Sequence, residues 1–258
     1  MLCKDIMEMI ETTYPKHAAL SWDNVGLLVG RTDKKVHTIL IALDATDEVI
    51  EQAISQNVDL LITHHPLIFE PLKTITNEHF IGNRVVRLLQ HDISYYAMHT
   101  NYDVLGMADL SAKMLELADT EVFEATNEEG TEGIGRVGHL PTSMTLKECC
   151  ELVKEKFQLE TVKVYGDLNM QVERVAISPG SGKHMSELAI EKQVQALITA
   201  EIDHHEGIDA NARGVAIVDA GHYGLEHIFI QDMYEYLGEK LTDVKILKTE
   251  IVHPFQIV

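Results

Sequence analysis

The chain has 258 residues, of which 45% are hydrophobic and 24% are charged, and its formal net charge is −20. This composition excludes disordered, collagen-like and disulfide-stabilised proteins, and the charge disfavours direct binding of nucleic acid, whose phosphates are usually contacted by Lys and Arg clusters. No apolar run approaches the ~20 residues that a bilayer-spanning helix needs, so we expect no membrane partner.

Cysteine usage indicates a reducing compartment. The chain has three cysteines, Cys3, Cys149 and Cys150, and an odd number that includes two neighbours is unsuited to a disulfide framework. The first residues carry spaced acidic side chains and no apolar h-region, so no signal peptide is predicted. We therefore expect a cytoplasmic protein.

The first part of the chain alternates between helix and strand patterns. Apolar residues at helical spacing predict helices over residues 2–13, 47–56 and 80–91. Apolar runs predict a short strand within 21–30 and buried strands over 38–43, 59–63 and 93–98. Strands that alternate with helices in this way are typical of βαβ units and a mainly parallel sheet.

The middle of the chain interrupts this alternation, which then resumes. Residues 126–138 are rich in Gly and Glu and predict a loop or a turn leading to an edge strand. Strands are predicted over 161–165, 174–178, 196–199, 215–219 and 244–247, and helices over 146–157, 187–192, 204–212 and 223–237. We predict an α/β protein with two similar lobes, 1–125 and 171–258, mainly parallel sheets, and a connecting segment, 126–170, with edge strands and a helix.

A weak internal similarity links the two predicted lobes. The hexamers 58–63 and 194–199 share Val, Leu, Ile and Thr in register. Buried strands use few residue types, so this similarity is as consistent with chance as with duplication.

The strongest candidates for chemistry follow predicted strands. They are His64 and His65 after strand 59–63, Asp103 after strand 93–98, and His222 and Glu226, four residues apart, after strand 215–219. In open parallel sheets, ligands bind at the carboxyl ends of the strands. Each feature also has a structural interpretation: solvated loop histidines, an Asx turn, or an acidic residue in the first turn of a surface helix.

Together these five residues suit divalent metal ions. Three imidazoles and two carboxylates could hold two ions such as Zn, Fe or Mn, with a bridging carboxylate or water, and paired ions of this kind activate water. Pro66 favours an extended backbone at His65, which would point the adjacent imidazoles of His64 and His65 to opposite sides. The pair could then contact two ions, or one ion from a distorted turn.

Other polar residues are candidates for catalysis and substrate binding. His99 follows strand 93–98, and either it or Glu201, from the polar cluster 201–206, is expected to transfer protons. His204 and His205 belong to the same cluster, and they either face substrate or form a solvated helix start. We expect these two histidines and Asn24 to contribute to substrate binding.

Four motifs in this order resemble the signatures of the NIF-three-like family, also called GTP cyclohydrolase I type 2 homologues. They are SWDNVGLLVG at 21–30, ITHHPL at 62–67, HTNYD at 99–103 and GHYGLE at 221–226. The resemblance covers almost the whole chain and matches the short bacterial form. It implies a NIF-three-like fold of two similar α/β lobes, a ring-shaped homohexamer, and a dinuclear metal centre whose matching ligands are His64, His65, Asp103, His222 and Glu226.

The residues and the resemblance leave more than one function open. The leading hypothesis is a metal-dependent hydrolase acting on a nucleotide or a small phosphorylated or cyclic substrate, with two divalent ions per chain. The cyclohydrolase label implies hydrolytic opening of a guanine ring with loss of formate. The alternative is a non-catalytic protein that binds or delivers metal, or a regulatory interaction protein whose metals are structural.

Overall fold

The computed structural model describes residues 1–258, which form two compact α/β units. The first unit comprises residues 1–102 and 229–252, and the second comprises residues 103–228 and 253–258. Each unit is built around one sheet with helices packed on it. The predicted α/β class is therefore confirmed.

Eleven strands and ten α-helices make up the chain. The strands are β1 (Gly26–Val29), β2 (Thr38–Ala42), β3 (Leu60–Thr63), β4 (Ser94–Ala97), β5 (Ala118–Ala125), β6 (Gly133–Thr145), β7 (Lys163–Tyr165), β8 (Gln171–Ser181), β9 (Ala196–Ala200), β10 (Ala216–Asp219) and β11 (Lys245–Lys248). The helices are α1 (Cys3–Thr13), α2 (Asp47–Ser55), α3 (Phe80–Gln90), α4 (Thr100–Tyr102), α5 (Ala108–Met114), α6 (Leu146–Lys156), α7 (Met185–Glu191), α8 (His204–Ala212), α9 (His222–Glu226) and α10 (Ile228–Lys240). None of these helices combines the length and apolar character needed to cross a bilayer.

The first sheet has the order β1-β4-β3-β2-β11 and is parallel except for β1. Leu40 of β2 and Leu61 of β3 pack in one apolar core with Ile50 of α2 and Leu88 of α3. Because β2, β3 and β4 run in the same direction, their carboxyl ends lie at one edge of the sheet. The residues that follow these strands are therefore brought together.

The last strand joins the first unit, whereas the sequence predicted it in the C-terminal lobe. β11 pairs in parallel with β2, with Lys245 opposite Thr38 and Lys248 opposite Ile41. The unit boundaries also differ from the predicted lobes, since residues 103–125 lie in the second unit. The local pattern of a strand shows that it is buried, but does not show which sheet edge it will pair with.

The second sheet has the order β5-β6-β8-β9-β10-β7. Only β8, β9 and β10 are parallel to one another, and the other three strands pair antiparallel. The prediction of mainly parallel sheets therefore holds for the first sheet and is wrong for the second. The carboxyl ends of the three parallel strands again lie at one edge.

The segment 126–138, predicted as a loop or a turn leading to an edge strand, contains the start of a β-hairpin strand. β6 begins at Gly133, and its antiparallel partner β5 was not predicted. A Cβ atom at Gly133 would lie 2.0 Å from the carbonyl oxygen of Glu124 across the hairpin. Gly133 permits the close approach of two strands. The sequence pattern did not predict this role because glycine is usually associated with turns.

The predicted helix 223–237 is two helices, α9 and α10, separated at His227. The His227 side chain is buried, and its Nε2 lies 2.8 Å from the carbonyl oxygen of Phe157. Burial lowers the pKa of His227. This neutral, hydrogen-bonded histidine belongs to the interior of the second unit.

Candidate metal-binding residues

The turn after β3 carries His64 and His65, and the hydroxyl groups of Thr63 and Tyr95 hold its backbone in place. The carbonyl oxygen of His65 accepts hydrogen bonds from Thr63 Oγ1 at 2.8 Å and from the Tyr95 hydroxyl at 2.9 Å. The same hydroxyl accepts the N–H of Leu67 at 2.8 Å. The two imidazole rings lie 4.9 Å apart and are tilted by 49°, so the bend brings them together.

His64 is fully buried, and a backbone carbonyl determines its tautomer. Its Nδ1 lies 2.8 Å from the carbonyl oxygen of Met98, which follows β4. A carbonyl oxygen can only accept, so Nδ1 carries the proton and Nε2 carries the lone pair. This is the arrangement typical of a histidine that binds metal through Nε2.

His65 is oriented in the same way by a carboxylate. Its Nδ1 lies 2.8 Å from Oδ1 of Asp44, a residue that comes shortly after β2. The carboxylate accepts the Nδ1 proton, which again leaves the lone pair on Nε2. Neighbouring parallel strands thus supply the histidine and its orienting partner.

His99 has a carboxylate partner of its own. Its Nδ1 lies 2.9 Å from Asp23 Oδ1, and the other oxygen of Asp23 accepts the Thr100 N–H at 2.9 Å and the Thr100 hydroxyl at 2.5 Å. Burial alone raises the pKa of Asp23, but the hydrogen bonds from His99 and Thr100 and the charge of His99 outweigh it, so the pKa falls from 3.8 to about 2. Asp23 is therefore ionised at neutral pH.

Asp23→Asn is expected to destabilise the metal-free protein by about 2 kcal/mol near neutral pH, from the depressed pKa of the buried carboxylate. A lowered folded-state pKa stabilises the fold above the unfolded-state value, and that contribution is lost as the pH falls towards about 2. The difference between wild type and variant should therefore shrink near pH 3. Urea unfolding in chelator at both pH values measures it; an unchanged difference would contradict the assigned charge.

These three histidines form one group in the first unit. The ligand nitrogens of His64, His65 and His99 all lie within 4.8 Å of one another, and the ring of His99 lies 5.3 Å from that of His64 and 5.7 Å from that of His65. A divalent ion is commonly held by imidazole nitrogens grouped in this way. The first unit therefore presents nitrogens that could hold a metal ion, with His64 and His65 as the predicted ligands and His99, the predicted proton-transfer group, beside them.

In the second unit, His222 lies between two carboxylates. Its Nδ1 is 2.9 Å from Glu201 Oε2, and its Nε2 is 2.9 Å from Glu226 Oε2. The first carboxylate follows β9, and His222 starts α9 just after β10. A proton or a metal cation between Nε2 and the Glu226 oxygen satisfies both groups, so this pair fits a divalent ion.

The loop that positions His222 is anchored by Asp219, the last residue of β10. Its Oδ1 accepts the N–H of Glu201 at 3.2 Å and the N–H of Gly221 at 3.1 Å. Its Oδ2 lies 2.7 Å from Lys163 Nζ, and hydrogen bonding to Asp219 raises the pKa of that lysine. One carboxylate thus fixes the two loops that carry Glu201 and His222.

Glu226 is almost fully buried, and Gly180 leaves room for its carboxylate. Gly180 lies near the end of β8 with φ at +82°, and a Cβ atom there would be 2.8 Å from Glu226 Oε1. The carboxylate therefore occupies space that any other residue at position 180 would fill. The sequence pattern had not indicated this contact between Gly180 and Glu226.

Asp103 begins a π-helical turn, Asp103–Met107, directly after α4. Turns of this kind are rare and often occur at functional sites. Asp103 therefore starts a helical turn rather than the Asx turn that was the structural interpretation of this residue.

The family model that matches residues 1–254 is Duf34/NIF3, NGG1p interacting factor 3. The chain belongs to the Duf34/NIF3 family. Among its curated relatives are two proteins described as GTP cyclohydrolase 1 type 2 homolog. The one from Clostridium acetobutylicum is 35% identical over 226 residues, covering 86% of this chain and 84% of that protein. The one from Clostridium perfringens is 33% identical over 262 residues, covering 100% of both.

Two solved structures share the fold of this Duf34/NIF3 chain. The Bacillus cereus protein related to NIF3 matches with a TM-score of 0.91 and 26% identity, over 100% of this chain and 99% of that one. Reduced HcgD from Methanocaldococcus jannaschii matches with a TM-score of 0.83 and 31% identity, over 96% and 97%. The predicted family and the NIF-three-like fold of two similar lobes are confirmed.

The structure describes the surroundings of the three residues predicted to bind substrate in this Duf34/NIF3 chain. His204 and His205 start α8 as exposed side chains that contact each other, 5.3 Å between ring centroids, and the Asp203 side chain caps the helix. Asn24 Nδ2 donates to the carbonyl oxygen of Ile68 at 2.6 Å and so ties two loops together. Glu201, a predicted proton-transfer candidate, lies with Oε2 2.9 Å from His222 Nδ1.

Sequence reasoning missed the oxygens that orient the histidines of this family member. Asp23 and Asp44 lie 76 and 21 residues from their histidines. The one available signal was that Asp44 comes just after a predicted strand, as the other candidates do. Asp23 lies in the motif 21–30, whose pattern predicts a short strand and carries part of the family resemblance but does not indicate a histidine partner.

Proposed function

We propose that this Duf34/NIF3 protein binds two divalent ions, Zn, Fe or Mn, and is a metal-dependent hydrolase that resembles GTP cyclohydrolase I type 2. The ligands in this proposal are His64, His65, Asp103, His222 and Glu226. One observation carries it: in each of His64, His65 and His222, Nδ1 lies within hydrogen-bond distance of an oxygen acceptor. These acceptors are the carbonyl of Met98 and the carboxylates of Asp44 and Glu201, respectively. All three rings therefore present Nε2 as the ligand atom.

The orienting carboxylates do more than fix tautomers. Asp44 and Glu201 each place negative charge beside an imidazole, which strengthens the ring as an electron donor. Removing such a partner commonly costs 10- to 100-fold in metal affinity. We therefore propose a positioning role for Glu201 in place of the proton transfer expected from the sequence.

His99 remains the proposed proton-transfer group. Asp23 holds its Nδ1 proton, and the ionised carboxylate stabilises a positive charge on the ring when Nε2 takes up a second proton. When bound, paired divalent ions acidify water and polarise the oxygen at the reacting bond. His99 Nε2 would then accept a proton from the attacking water and return it to the leaving group.

The substrate in this proposal is a nucleotide or a small phosphorylated or cyclic molecule. The curated relatives named GTP cyclohydrolase 1 type 2 homolog support the nucleotide as the first choice. We also propose a cytoplasmic homohexamer, on the family resemblance and on three cysteines that are all unpaired. Light scattering that gives six chains per particle supports this assembly, and a monomer would contradict it.

Formate release from GTP tests the hydrolase. Protein loaded in turn with Zn²⁺, Mn²⁺ or Fe²⁺ should release formate, and His99→Gln should retain its metal but lose about 100-fold or more in turnover. His91→Gln, which changes an exposed histidine after α3, is the matched control and should keep full activity. No formate from fully loaded protein would contradict the cyclohydrolase proposal and favour metal binding or delivery without turnover.

A further inference from the structure

Two exposed aromatic side chains lie against His99 in the first unit. The ring centroid of Trp22 is 5.9 Å from that of His99, and the ring centroid of Phe69 is 5.7 Å away, both in edge-to-face geometry. Trp22 is 62% exposed and Phe69 is 53% exposed. They come from two different loops and meet the same imidazole.

The two loops form a fixed frame. Asn24, two residues after Trp22, donates from Nδ2 to the carbonyl oxygen of Ile68, which precedes Phe69, and this 2.6 Å hydrogen bond joins the two loops. The first loop is also held by Asp23, which bonds His99 and Thr100, and by the N–H of Leu20, which donates to the Thr100 hydroxyl at 2.9 Å. Both rings are therefore held next to the histidine without being buried.

Single exposed apolar residues are common on proteins, but this arrangement is different. Trp22 and Phe69, one on each loop, expose their rings to solvent beside His99, the candidate proton-transfer group. Their faces and edges are therefore available to a ligand. A phosphate gains little from such surfaces, and an aliphatic group gains only the burial of its apolar area. A flat heteroaromatic ring gains stacking energy from them.

We propose that Trp22 and Phe69 bind a flat heteroaromatic ring of the substrate, of the nucleobase type, beside His99. The relevance of this ring site to hydrolysis rests on the proposed function, whereas ring binding itself is measurable without turnover or metal. Trp22 is the sole tryptophan of the chain, so its fluorescence reports on this site alone.

The test titrates metal-free protein in chelator with guanosine monophosphate and, separately, with ribose 5-phosphate, which lacks the ring. The nucleotide should quench Trp22 fluorescence saturably, and ribose 5-phosphate should not. Phe69→Ala should weaken nucleotide binding about tenfold or more. Calorimetry should show a similar loss for Trp22→Leu, which removes the fluorophore.

Phe80→Ala is the matched control. Phe80 is 60% exposed, but its ring stacks on His79 and lies under Arg84, away from His99 in the contacts it makes. Its replacement should leave nucleotide binding unchanged. An exposed aromatic pair can also form an interface between copies of the chain. Light scattering on all variants therefore checks whether replacing Trp22 or Phe69 changes the oligomeric state.

Outcomes separate the ring site from the hydrolase. The ring site would be overturned if ribose 5-phosphate bound as tightly as guanosine monophosphate, or if Phe69→Ala bound the nucleotide as tightly as wild type. It would also be overturned if the only effect of Phe69→Ala were a change in oligomeric state. Ring binding without formate release would leave the ring site standing and contradict the hydrolase. Formate release with an unchanged KM for GTP in Phe69→Ala would contradict the ring site and leave the hydrolase standing.

Discussion

His65→Ala is expected to lower the metal content of the purified protein from the two ions per chain that we propose to one or fewer. The substitution removes the Nε2 donor and leaves the Asp44 carboxylate without the imidazole it orients. Loss of a ligand should exceed the 10- to 100-fold effect of losing an orienting partner. Metal analysis after gel filtration measures the change.

His65 is preferred to His64 for this experiment because its side chain is 17% exposed, whereas His64 is fully buried and its removal would leave a cavity. His91→Ala is the control, since it removes an exposed imidazole from the same unit. Full metal content in His65→Ala, with thermal unfolding unchanged, would show that this imidazole is no ligand.

Gly180→Ala is expected to lower metal affinity by about 10- to 100-fold, since it displaces a ligand without removing it. The new Cβ atom would lie 2.8 Å from Glu226 Oε1, and the buried carboxylate would have to move away from His222 Nε2. The positive φ of residue 180 adds a strain of about 1–2 kcal/mol to the folded state. Competition with a chromophoric chelator measures the affinity.

Gly214→Ala separates the displacement from the strain. Gly214 also has a positive φ, +93°, but a Cβ atom there would meet nothing within 4 Å. Both variants should lose similar stability in chelator, and Gly180→Ala alone should lose metal affinity. Equal metal affinity in the two variants would mean that the position of the Glu226 carboxylate does not matter for binding.

The sequence was sufficient to predict where the candidate residues lie. Apolar runs such as 59–63 marked the buried strands, and the histidines and carboxylates that follow them mark the carboxyl ends of parallel strands. Helix bounds such as Asp47–Ser55 were predicted to within a residue because Thr46 caps the helix and its apolar face repeats at helical spacing. These signals are local.

Features that depend on distant parts of the chain were not predictable. Asp23 meets His99 and β11 meets β2 only after folding, and no local pattern encodes either pairing. Gly133 was open to a turn interpretation, although it permits a hairpin, and no local pattern showed that Gly180 makes room for Glu226. His204 and His205 start an exposed helix, which is one of the two interpretations that the sequence allowed, and their contact with substrate stays a prediction.

The central claim is that three imidazoles with Nδ1 held by oxygen, together with two carboxylates, bind two divalent ions. Elemental analysis of wild-type protein purified without oxygen, and then reconstituted with Zn²⁺, Mn²⁺ and Fe²⁺ in turn, tests it most directly. The account predicts close to two ions per chain with at least one of these metals. Protein that stays empty after all three reconstitutions would contradict it.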